Sequence, residues 1–127
     1  MKKCITLVVM ITLTATATLA AEEAKPEMKP ITKAMLARLG WVQSLSKNIA
    51  YSNYDGIAKD AMDLSAQTKK AGETAPAPFN KEKNLAISAL ASSMAEAAAA
   101  KNGAAVSAKF GEILATCNSC HAKLRDK

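Results

Sequence analysis

Cys117-Asn118-Ser119-Cys120-His121, close to the end of a 127-residue chain, places two thiols and an imidazole within five positions. C-x-x-C-H is the pattern of covalent haem attachment. The spacing follows from the chemistry. Each thiol adds across one vinyl group of the porphyrin, and the two vinyls lie on neighbouring edges, so the cysteines must sit about one helical turn apart. The next residue then lies beside the ring, where an imidazole can reach the iron from one face. His121 is the only histidine in the chain and follows Cys117 by four, on the same helix face.

Other readings of the motif fit less well. A thioredoxin-like C-x-x-C belongs at a strand-to-helix junction of an α/β fold, and no βαβ pattern is present. A zinc site needs four ligands, and two cysteines plus one histidine leave it short. A disulfide between Cys117 and Cys120 would close almost no loop and so stabilise little.

The elements that must position these groups read as helices. The chain is rich in alanine and poor in glycine and aromatic residues. Pro30 suits a first helical position. From there Ile31, Met35, Val42, Leu45 and Ile49 recur at helical spacing, widened by Leu36 and Leu39. Ser52-Asn53 breaks the run. Asp55 is expected to cap a second helix with Ile57, Ala58, Ala61, Met62 and Ser65 inward, ending near Gly72. Gly72 to Asn80 reads as a loop, with Asn80 capping a third helix that carries Leu85, Ser88, Ala91, Met94, Ala95 and Ala98 inward. Asn102-Gly103 ends it. The fourth helix carries Val106, Phe110, Ile113, Leu114, Cys117, His121 and Leu124. Trp41, off the main stripe, reads as packing at the bundle edge. The expected fold is all-α, an antiparallel four-helix bundle with covalent haem near the C-terminus.

The N-terminus reads as a separate segment. Lys2 and Lys3 precede an uncharged apolar run from Ile5 to Leu19, and small residues follow at Thr18-Leu19-Ala20. This is the form of a secretory signal peptide, residues 1–20, cleaved to leave a haem domain over residues 21–127. The run is short for a membrane span, so no stable insertion is expected after cleavage. Cys4 leaves with the segment. Loss of Lys2 and Lys3 lowers the formal charge from +6 by two, and the remainder is spread along the chain. No basic arm for nucleic acid is visible. The expected result is a mature N-terminus at or near Ala21 in the periplasmic fraction, read by N-terminal sequencing. An intact Met1 in the membrane pellet would identify an anchor instead.

A single C-x-x-C-H at the end of a helical, exported chain resembles the class II cytochromes c, cytochrome c′ and its low-spin relative cytochrome c-556. The resemblance covers nearly all of residues 21–127. It is firmest in the tail CNSCHAKLRDK and weaker at Tyr54-Asp55 and at the helix-one methionine. It implies a four-helix bundle, one haem c held by Cys117 and Cys120, and His121 as axial iron ligand. Met35, nineteen residues before Tyr54, is nearest to the distal position, where cytochrome c-556 has a ligating methionine and most cytochromes c′ an apolar residue. Arg125 matches an arginine near the proximal haem face. Where the family often has Arg-Gln near the propionates, this chain has Ile31-Thr32-Lys33-Ala34, leaving Lys33 as stand-in.

The function expected is that of a periplasmic one-electron carrier of a Gram-negative bacterium, with His121 and Met35 on the iron. Its partners would be periplasmic redox proteins, and it would be a monomer or homodimer. The alternative is a five-coordinate binder of nitric oxide or carbon monoxide, with Met35 only packing. No enzyme is expected: the sole histidine is committed, and no carboxylate cluster converges on the first helix.

Overall fold

A computed structural model describes residues 29–125. The apolar run at residues 5–19, Cys4 and the cleavage point after Ala20 lie outside the described residues. Four helices pack against one another: α1 (Pro30–Ala50), α2 (Tyr54–Thr74), α3 (Pro78–Ala99) and α4 (Gly103–Arg125). No strand occurs among the described residues, and none of their helices is long and apolar enough to cross a membrane. Connections of three residues force each helix to run antiparallel to the last.

Local chemistry sets the helix ends. Pro30 and Pro78 occupy first-turn positions of α1 and α3, where no N–H is missed. α2 is capped by Asn53 rather than Asp55: the Asn53 side chain accepts from the Gly56 N–H at 3.2 Å. Asp55 sits instead in the first turn, favourable to the helix dipole. The expected loop over residues 72–80 is largely helical. Gly72-Glu73-Thr74 continues α2, and α3 begins at Pro78, so Asn80 is inside the helix and caps nothing. Asn102 caps α4, accepting from the Ala105 N–H at 3.1 Å. Ser52 and Lys101, the middle residues of the first and third connections, adopt the left-handed conformation, φ 53° and 52°.

α2 and α3 form the closest pair, and α1 and α4 meet least. Small residues allow the α2–α3 approach. Ser65 Oγ donates to the Ser88 carbonyl at 2.9 Å, and Ser88 Oγ to the Ser65 carbonyl at 3.0 Å. A Cβ on Gly72 would stand 2.8 Å from Leu85 Cδ2.

The core is lopsided. Leu45, Ile57, Leu64, Met94, Val106 and Ile113 are fully buried, with Ala61, Ala91, Ala95 and Ala98 between them. All lie in the half of the bundle away from C-x-x-C-H, formed by residues 40–64 and 89–114. The other half comprises residues 30–39, 65–74, 78–88 and 115–125. Its one buried apolar side chain is Ile87. Ile31, Leu36, Leu39 and Leu124, assigned inward by periodicity or position, are instead 63, 49, 51 and 52% exposed there. Met62 and Leu114, also expected inward, are exposed in the far half, whereas Trp41 packs against the core as a partly buried side chain.

Candidate functional site

Cys117 and Cys120 are free, half-buried thiols on α4, one turn apart. His121 is exposed and makes no hydrogen bond among the described residues. No three of His, Cys, Asp and Glu among the described residues are placed to hold a metal ion together. Burial pushes the Cys117 thiol up, and the positive charge of Arg38 only partly offsets it.

Arg38 is the residue sequence reasoning passed over. It stands on α1, and Cys117 and Cys120 both act on its pKa. Its Nε–H donates to Gln67 Oε1 on α2 at 2.9 Å, and Nη2 to Asn84 Oδ1 on α3 at 2.6 Å. The guanidinium thus joins three helices beside the motif on the fourth. Burial is the largest influence on it and lowers its pKa, with the cysteines acting the other way. No carboxylate pairs with it among the described residues. A signal was present: Arg38 fills the gap between Met35 and Val42 in the inward stripe of α1. Lys33, the suggested stand-in, is exposed.

The antiparallel register sets the level of Met35. At the far end Ile49 of α1 and Val106 of α4 line one hollow, with Tyr54 and Gly103. Eleven residues back from Ile49 is Arg38, and eleven on from Val106 is Cys117, the pair that the electrostatics place close together. One turn further along each helix stand Met35, half-buried, and the Cys120–His121 step. Arg125 lies in the last turn of α4, with Lys123 beside it. Lys123 Nζ sits 4.1 Å from the centroid of the Phe79 ring, tying that turn to the start of α3.

These residues fit a haem. Two free thiols and an unpartnered imidazole sit on one helix, in the half of the bundle that lacks an apolar core and leaves large apolar side chains uncovered. An apolar macrocycle is what such a half needs to bury its surface.

Arg38 should also matter to the fold. Arg38→Met leaves Gln67 and Asn84 without their donor, and is expected to cost about 1–3 kcal/mol. Urea unfolding of the two proteins measures this. An unchanged midpoint would show that the three-helix junction contributes nothing.

Comparison with known protein families, with curated proteins and with solved structures finds no match for this chain.

Proposed function

We propose that the protein is a periplasmic c-type cytochrome related to cytochrome c-556, a one-electron carrier with a single haem c. The observation that carries the reading is the coincidence of C-x-x-C-H with the half of the bundle that has no apolar core of its own. When bound, haem supplies an iron that cycles between ferric and ferrous forms. The chain does the rest. Cys117 and Cys120 hold the ring by thioether bonds, and His121 provides the imidazole ligand. Met35, on the opposite helix at the level of His121, provides the thioether ligand, which favours the ferrous form and raises the potential. Arg38 places a fixed positive charge beside the cysteines, which acts in the same direction. With His121 and Met35 both held to the group, the site would serve electron transfer rather than substrate binding. An absorption spectrum of the isolated holoprotein in both oxidation states tests this. The absence of any haem spectrum after maturation would end the reading.

The cofactor and the fold are coupled in this proposal. Ten of the eleven buried apolar residues lie in the far half, and four of those ten are alanines. Without haem, the C-x-x-C-H half has little to hold it. The apoprotein is expected to lose much of its helicity, as read by far-ultraviolet circular dichroism. Full helicity with a sharp thermal transition would contradict that expectation.

A further inference from the structure

Charge that is scattered along the sequence is gathered by the fold. Each of the four helices brings two cations to the C-x-x-C-H half: Lys33 and Arg38, Lys69 and Lys70, Lys81 and Lys83, Lys123 and Arg125. Within the described helices, Glu73 and Glu82 are the acids of this half. The far half holds four cations, Lys47, Lys59, Lys101 and Lys109, against five acids, Asp55, Asp60, Asp63, Glu96 and Glu112. Counted over the described helices, one half therefore carries about six positive charges in excess, and the other is close to neutral. The expectation of an evenly spread charge holds for the chain but not for the folded molecule.

Pairing sharpens the contrast. In the far half Lys59 bonds Asp63 at 3.0 Å and Lys109 bonds Glu112 at 2.9 Å. In the C-x-x-C-H half Lys83 bonds Glu82 at 3.1 Å, while Lys69, Lys70 and Lys81 are exposed and form no ion pair among the described residues. Lys123 leans on Phe79 rather than on an acid.

We propose that this end of the bundle is a docking surface for an acidic protein. The charge complementarity is what such a partner needs: all four helices contribute lysines to this half, and Lys69, Lys70 and Lys81 are exposed with no acid paired to them among the described residues. A membrane-surface helix gathers its cations and apolar side chains on one amphipathic element, whereas here the cations come from four helices. His121, exposed in the same half, would lie close to the docked partner. That the partner is a redox protein rests on the haem reading, but the surface itself does not.

The mature protein, as isolated, is titrated with a decaglutamate peptide at low salt, and its backbone amide resonances are followed by NMR. Shifts are expected in residues 30–39, 65–74, 78–88 and 115–125, and binding should weaken about tenfold or more on raising salt to physiological strength. The double variant K69E/K70E should weaken binding at least about tenfold, and the far-half variant K47E/K101E, with the same change of net charge, less than about twofold. Equal losses in both variants would reduce the effect to net charge and overturn the proposal. So would tighter binding to phosphatidylglycerol vesicles than to the peptide, which would make the surface a lipid site. Amide shifts require no haem, and haem content is read separately by mass and absorption. Failure of the docking surface is thus distinguishable from failure of the cofactor reading.

Discussion

Protein made in a host that matures c-type cytochromes should exceed the mass of residues 21–127 by one haem, and should keep that haem through denaturation and acidic organic extraction. The effect is all-or-none because the bonds are covalent. Each thiol adds its sulfur to one vinyl carbon and its hydrogen to the other, so two thioethers form and nothing is lost. Cys117 and Cys120 are free, half-buried and one turn apart on α4, as that double addition requires. Cys117→Ala or Cys120→Ala should leave at most one thioether and sharply lower the yield of holoprotein. The double variant should release all its haem on extraction. A wild-type mass equal to the bare chain would refute the assignment of both cysteines.

Much of this arrangement was legible before the fold was known. The apolar stripe of α1 starts at Pro30 and fails at Ser52-Asn53, and the helix spans Pro30–Ala50. The inward residues of α3 from Ser88 to Ala98 are all buried as their period predicts. What periodicity could not tell was what covers a stripe. Ile31, Leu36 and Leu39 repeat like core residues, yet no described side chain closes over them. Their exposure becomes intelligible once α4 brings the cysteines to the same half. Local turn chemistry misled at the α2–α3 connection. Gly72 reads as a terminator, but it lies within α2, where its missing side chain lets Leu85 of α3 approach.

Long-range electrostatics were hidden for a different reason. Arg38 is a long cation on an amphipathic helix, a residue type normally solvated. Its partners Gln67 and Asn84 lie 29 and 46 residues away, beyond any local pattern. The basic half of the bundle was hidden likewise. Its eight cations come from four segments of sequence that only the antiparallel packing assembles.

Met35→Ala should change the iron's ligand field and open a gas site, which decides between carrier and gas binder. A thioether on ferric haem gives a weak sulfur-to-iron charge-transfer band in the far red, with a low-spin Soret and visible spectrum. The wild type should show that band and the variant should lose it, turn high-spin, and take up carbon monoxide rapidly when reduced. The reason is geometric. Met35 is half-buried on α1, level with the Cys120–His121 step of α4, and its flexible stem is suited to span the space between the two least-packed helices. Its removal would leave α4 and both cysteines untouched, so covalent attachment should survive. The far-half core of Leu45, Ile57, Met94 and Ile113 does not include it, so the cost to folding should be only about 1–2 kcal/mol, below that of truncating a fully buried side chain. If the wild type is already high-spin and binds carbon monoxide as fast as Met35→Ala, Met35 is a packing residue. The same bundle, with its iron open on the α1 side, would then be a receptor for nitric oxide or carbon monoxide.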